Sequence, residues 1–87
     1  MNRRASNNFI IKVKDYLQNQ GYDVDAKTKL NSVFHFISGQ IAVYVKENGV
    51  INVNERNAIL SEAEHHELIP YIAFKNAKGE IELKEVR

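Results

Sequence analysis

The chain contains no cysteine. A disulfide scaffold, a cysteine-based zinc site and thiol catalysis are therefore all excluded. It has no apolar run near the roughly 20 residues of a membrane span, and no signal-peptide apolar core at its N-terminus. These absences predict a soluble protein of the cell interior, cytoplasmic or inside a host cell if the chain is viral. A strong charge excess is missing too: 12 Lys+Arg stand against 11 Asp+Glu, for a net charge of +1. Such a balance leaves no whole-chain footprint for nucleic acid. No internal repeat, low-complexity tract or linker divides the sequence.

What is present fits a small globular domain. The 87 residues predict one domain over 1–87, with Met1–Ala5 frayed. Hydrophobic residues make up 44% and charged residues 26%, which argues against global disorder. Charge is unevenly placed. Before Gly49 come Arg3, Arg4, Lys12, Lys14, Lys27, Lys29 and Lys46, set against Asp15, Asp23, Asp25 and Glu47. After it come Glu55, Glu62, Glu64, Glu67, Glu80, Glu82 and Glu85. That asymmetry fits a polyanion-binding face opposite a solvated one, or chance in a small domain.

Ser6, Asn7 and Asn8 are all good helix caps, and Phe9, Ile10, Val13, Tyr16 and Leu17 recur at helical spacing until Gly21. A helix over 7–20 follows. Tyr22–Lys27 alternates with period 2, as a strand with one wet face does, and Thr28–Ser32 is a polar turn. Val33–Ile37 is β-branched and aromatic, a second strand. Ser38-Gly39 turns into Gln40–Glu47, the strongest strand signal, whose near-continuous apolar run predicts cover on both faces. Asn48-Gly49 is a turn, and Val50–Val53 extends briefly. Asn54 caps a second helix with the stripe Ile59, Leu60 and Ala63, closed by Pro70. Tyr71–Phe74 is a fourth strand, Asn76–Gly79 a turn, and Glu80–Val86 a final strand with one solvated face.

The order is α-β-β-β-α-β-β, an α/β domain. The helical crossover places the fourth strand parallel to one strand of the preceding meander. The two helices then cover opposite faces, or one covers a face and a partner chain covers the rest.

Particular residues add to this order. Tyr16-Leu17-Gln18-Asn19-Gln20-Gly21-Tyr22-Asp23-Val24, Ile41-Ala42-Val43-Tyr44-Val45-Lys46, Leu68-Ile69-Pro70-Tyr71-Ile72-Ala73-Phe74-Lys75 and Gly79-Glu80-Ile81-Glu82-Leu83 stand in sequence along nearly the whole chain. In this register they resemble the restriction-endonuclease-like superfamily, and within it the archaeal Holliday-junction resolvases. The resemblance implies a mixed sheet of that topology, nuclease ancestry and a homodimer. In that family a helix-1 glutamate, a second-strand aspartate and the glutamate of a Glu-x-Lys signature hold Mg²⁺, while the lysine assists the attacking water. A phosphodiester is a poor electrophile, and a hard divalent ion with oxygen ligands must polarise it.

Carried over, the lysine position is Lys46 and the glutamate position is Tyr44. The aspartate falls near Val33 or Phe34, and the helix-1 glutamate near Asn7 or Asn8. One lysine, one phenol and two amides do not assemble a Mg²⁺ site. The resemblance therefore implies a degenerate site with no catalytic residues and no metal, in which Lys46, Tyr44 and Asn8 are the former-site positions. Mg²⁺ enters only if the chain is a divergent nuclease.

Other candidates have plainer readings. Asp25-Ala26-Lys27 and Glu82-Leu83-Lys84 match Asp/Glu-x-Lys literally but lie on solvated strand faces. Glu47 points to the opposite side of its strand from Lys46. His35 reads as a satisfied imidazole in an apolar strand, and His65 and His66 as divergent side chains at a helix C-terminus. Phe34, Phe36, Tyr44 and Phe74 read as core rather than as a base-stacking platform.

The leading expectation is a non-catalytic nucleic-acid-binding protein, a homodimer that grips DNA or RNA phosphates through Arg3, Arg4, Lys12, Lys27, Lys29 and Lys46. One alternative is a protein-binding inhibitor or adaptor of a mobile element or virus, working through Glu55, Glu62, Glu64 and Glu67. The other is a divergent metal-dependent endonuclease.

Overall fold

A computed structural model describes residues 7–24 and 33–87. Among these, two helices flank a four-stranded mixed sheet of order β1-β2-β3-β4. In chain order the elements are α1 (Asn7–Asn19), β1 (Phe36–Ser38), β2 (Ile41–Val45), α2 (Val53–His65), β3 (Ile69–Lys75) and β4 (Ile81–Glu85). The outer pairs β1–β2 and β3–β4 are antiparallel, and the central pair β2–β3 is parallel. The α/β class and the helical crossover into a parallel strand are as the sequence predicts.

The helices cover opposite faces. On one, Phe9, Val13 and Leu17 of α1 pack with Phe36, Val43, Val45 and Ala73. On the other, Ile59 and Ala63 of α2 pack with Phe34, Ala42, Ile72 and Val86. Side chains alternate along a strand, so neighbours Ala42 and Val43 serve different cores. Both are fully buried, which explains the unbroken apolar run of β2.

The first predicted strand does not begin at Tyr22. Tyr22, Asp23 and Val24 carry no strand, and 25–27 lie outside the described residues, as does the predicted turn at 28–32. The N–H of Tyr22 instead donates to the Leu17 carbonyl (3.0 Å) and that of Gly21 to Gln18 (3.1 Å). With Gly21 at φ +94 these bonds form a Schellman stop, which engages the amide a strand would have used.

The second predicted strand is displaced to Phe36–Ser38 because the chain bends at His35. Phe34 and Phe36, two apart, would share a face in a straight strand, yet they enter opposite cores. The His35 N–H donates to the Val43 carbonyl (2.9 Å), while its Nδ1 accepts the Val45 N–H (3.0 Å). A side chain thus replaces the next main-chain acceptor and ends the ladder. The hairpin turn is Gly39-Gln40, one residue later than predicted, with Gly39 at φ +58.

The second helix starts earlier than predicted, and no strand extends over 50–53. Asn52, not Asn54, is its cap. Its Oδ1 accepts the Glu55 N–H (2.7 Å), and Glu55 Oε1 accepts the Asn52 N–H (3.0 Å). This capping box needs an acid or amide with a long reach three residues on. Asn52 has Glu55 there, and Asn54 has only the shorter Asn57.

Pro70 does not close the helix. It lies buried in β3, paired with Ala42. The stop is a second Schellman pattern, with Leu68 N–H to Ala63 (2.8 Å) and Glu67 N–H to Glu64 (3.2 Å). Here a glutamate, Glu67, occupies the left-handed position at φ +57. The imidazoles of His65 and His66 do not diverge: they meet edge to face at 4.8 Å, because His66 has left helical geometry at φ −101.

Two left-handed positions yield stability predictions. A Cβ on Gly49 (φ +74) would lie 3.1 Å from the Phe74 ring, whereas one on Gly39 would meet open space. Gly49→Ala is expected to cost about 2 kcal/mol and Gly39→Ala about 1 kcal/mol in urea unfolding. Glu67→Gly, which relieves left-handed strain, is expected to gain about 0.5–1 kcal/mol in the same assay. Equal costs at Gly49 and Gly39 would show that the Phe74 contact is immaterial.

Candidate functional site

The polar groups of the central strands collect where β2 ends and α2 begins. Pairing continues past β2: Lys46 N–H donates to Ala73 (3.0 Å), and Lys75 N–H to Glu47 (2.9 Å). The chain then turns, with Gly49 N–H on the Lys46 carbonyl (2.9 Å) and Val50 N–H on Asn48 Oδ1 (3.0 Å). This turn, predicted from Asn48-Gly49, returns the chain over the sheet to the Asn52 cap.

Tyr44 and Lys46 project from the same face of β2 toward α2. Both meet one carboxylate there. The Tyr44 hydroxyl donates to Glu55 Oε2 (2.7 Å), and Lys46 Nζ donates to the same oxygen (2.8 Å). The Lys46 and Glu55 side chains are only 15% and 22% exposed, so water screens the pair weakly. Glu55 thus receives a phenol, an ammonium and its own cap's N–H. His35 stands behind, its ring 5.4 Å from that of Tyr44 and tilted by 50°. Accepting at Nδ1 places the His35 proton on Nε2.

Burial alone would raise the pKa of Glu55. The Lys46 hydrogen bond, the Asn52 N–H, the Tyr44 hydroxyl and the charge of Lys46 together outweigh it. The carboxyl is therefore held below the usual glutamate range.

The basic residues named from the sequence do not converge on Lys46. Asn8 and Lys12 belong to the α1 face, where they line a hollow with Glu47, Lys75, Gly79 and Ile81. Lys75 and Glu47 are paired there at 3.4 Å in an exposed contact. Lys46 and Lys12 are thus directed to opposite sides of the sheet. Arg3, Arg4, Lys27 and Lys29 lie outside the described residues, as does the Asp25-Ala26-Lys27 match. Phe34 is buried beneath α2, and Val33 is partly buried beside it. Glu82 and Lys84 are exposed on β4, an edge strand among the described residues, where Glu82 accepts from the Asn76 amide (2.5 Å).

Mg²⁺ does not fit the residues at Tyr44 and Lys46. A hard divalent ion needs several oxygen ligands. The carboxylate at hand already receives three donors, and the Lys46 ammonium takes the place a cation would occupy. Among the described residues no group of three or more His, Cys, Asp or Glu is gathered to hold a metal.

Two features escaped sequence reasoning. Glu55 is the partner of Lys46, and its only sequence signal is the Asn52-x-x-Glu55 capping box. The second is a cationic hollow beside the β2–α2 turn, lined by Gly49, Val50, Arg56, Lys84, Glu85 and Arg87 among others. Arg56 donates from its guanidinium to the Arg87 carbonyl, and the highly exposed Arg87 guanidinium contacts Glu85 only loosely (3.4 Å). These cations follow Gly49, in the half of the chain whose acids dominate the sequence impression.

The clamp predicts an acid limb in the stability curve. A carboxyl whose folded pKa is lowered adds stability that is complete above its unfolded pKa. That stability disappears as pH falls through the lower folded value. Glu55→Gln keeps an acceptor for the Asn52 N–H but loses the charge facing Lys46. It is expected to cost about 1–2 kcal/mol at pH 7 and to flatten this limb in urea unfolding from pH 7 down to the acid range. A variant with the wild-type acid limb would show that Glu55 is not its source.

No family model, curated protein or solved structure matches the chain.

Proposed function

We propose that this chain is a non-catalytic nucleic-acid-binding domain of restriction-endonuclease-like descent that holds the phosphate backbone electrostatically. The observation that carries this reading is the hollow where Arg56, Lys84 and Arg87 gather beside Glu85, with Arg56 donating to the Arg87 main-chain oxygen. Backbone phosphates need closely spaced cations and carry no sequence information, so a small basic groove suits them. The Lys46–Glu55 pair contributes by position. It is neutral as a unit, and it fixes the first turn of α2, which carries Arg56 immediately after Glu55. Lys12 and Lys75, on the α1 face, are a second place where a long polyanion would touch. Arg3, Arg4, Lys27 and Lys29 enter the proposal by charge alone.

A second reading is a protein-binding adaptor. Val50 and Val53, at the β2–α2 junction, are 68% and 71% exposed. The acidic surface first considered for that role is dispersed: Glu55 is held by Lys46, and Glu67 lies beyond the end of α2.

Fluorescence anisotropy with labelled duplex, four-way junction and single-stranded DNA, and with duplex RNA, separates these readings. Binding is expected to weaken steeply with salt. Arg56→Ala and Arg87→Ala should each weaken it on every sequence and lower the log–log salt slope by about 1. No binding at low ionic strength, or binding indifferent to salt, overturns the proposal. Cleavage of any of these substrates with Mg²⁺ or Mn²⁺, abolished by Lys46→Ala, replaces it with the nuclease reading.

A further inference from the structure

Among the described residues β4 is an edge strand, hydrogen-bonded to β3 on one side. That pairing determines which of its main-chain groups are engaged. The Val86 N–H donates to the Pro70 carbonyl (3.0 Å), and the Glu80 carbonyl accepts the Asn76 N–H (2.8 Å). Main-chain groups alternate sides along an antiparallel strand. The even-numbered residues therefore face β3, and Ile81, Leu83 and Glu85 direct their N–H and C=O groups outward. Side chains alternate as well. Ile81 and Leu83 lean on the α1 core, and Glu82 and Lys84 stand on the other face.

We propose that two copies of this chain join through β4, antiparallel and centred on Leu83, into one continuous sheet. In that register Leu83 lies opposite Leu83 of the partner subunit, and each of Ile81, Leu83 and Glu85 exchanges both of its outward main-chain hydrogen bonds. Glu82 falls opposite Lys84 of the partner subunit, and Lys84 opposite Glu82 of the partner subunit. The neighbouring registers that keep the outward groups paired are centred on Glu82 or Lys84. They set glutamate against glutamate or lysine against lysine. Opposite charges directly across a sheet stabilise and like charges destabilise, so the strand's own sequence selects the Leu83 register. An exposed edge is a ready template for a further strand, and its occupant here is a second copy because the charge pattern complements itself. The inference goes beyond nucleic-acid binding and is tested without any ligand; with Lys84 paired across the seam, Arg56 and Arg87 are the cations left to the hollow.

Sedimentation equilibrium on the full chain is the experiment, over a wide concentration range. The wild type is expected to reach twice its 10.0 kDa monomer mass. Glu82→Lys and Lys84→Glu each turn both cross-strand pairs into like-charge pairs and should raise the dimer Kd about tenfold. Mixing these two variants restores complementary pairs, and the mixture is expected to dimerise as tightly as wild type. So is the double variant carrying both reversals. Glu82→Lys also loses the Asn76 bond, so thermal melts accompany each variant, and Lys84→Glu decides the matter if Glu82→Lys melts early. A wild type that stays monomeric up to about 1 mM overturns the proposal. So does a dimer whose Kd neither reversal alters, or single variants that fail to recover on mixing.

Discussion

The parallel pairing of β2 with β3 is the constraint on which the rest of the structure depends. A parallel pair cannot be closed by a tight turn, so the chain needs a crossover, and α2 supplies it. The crossover covers one face of the sheet and leaves α1 to cover the other. Ala42, Val43, Val45 and Ala73 are then fully buried in a sheet that has four strands among the described residues. Such a pair also places its strand ends side by side. The polar side chains that close β2 and β3 therefore gather at one edge of the domain, where open α/β sheets present their ligand sites.

At that edge the Glu55 carboxylate couples strand to helix. It is the reciprocal partner in the helix cap and also the acceptor for Tyr44 and Lys46 from the strand. A buried lysine or glutamate alone would be costly, but together with the phenol and the cap they satisfy one another. The consequence is electrostatic as well as mechanical. Lys46 adds little free positive charge at the surface, and Arg56 and Arg87 line the hollow beside the β2–α2 turn. The Lys46 ammonium also occupies the side of the Glu55 carboxylate that a metal ion would need.

Much of the fold was legible because it depends on local chemistry. The spacing of Phe9, Val13 and Leu17 with Gly21 after them predicts α1, and the Asn48-Gly49 turn and the alternation in β4 are equally local. The errors fell where a distant partner decides the outcome. His35 looks like a strand residue, but its imidazole takes the Val45 N–H and bends the chain. Pro70 looks like a helix breaker, yet Glu67 has already stopped the helix in a left-handed conformation, and Pro70 then enters the sheet. The candidate site was half legible. Tyr44 and Lys46 were singled out together and are together, whereas Lys12 was grouped with Lys46 although α1 lies on the other side of the sheet.

By itself the sequence determined the number and kind of most elements, the apolar faces of the helices and the double burial of β2. These follow from periodicity, capping chemistry and turn residues acting within a few positions of one another. Only the tertiary structure decided that Glu55 meets Lys46, nine residues apart, and that Arg56, Lys84 and Arg87 share one hollow. It alone decided that the main-chain groups of Ile81, Leu83 and Glu85 point away from β3. The physical reason is that charge and hydrogen-bonding capacity are neutralised through space, so whether a residue of given type is a free cation, a clamp or an edge depends on what the fold sets opposite it.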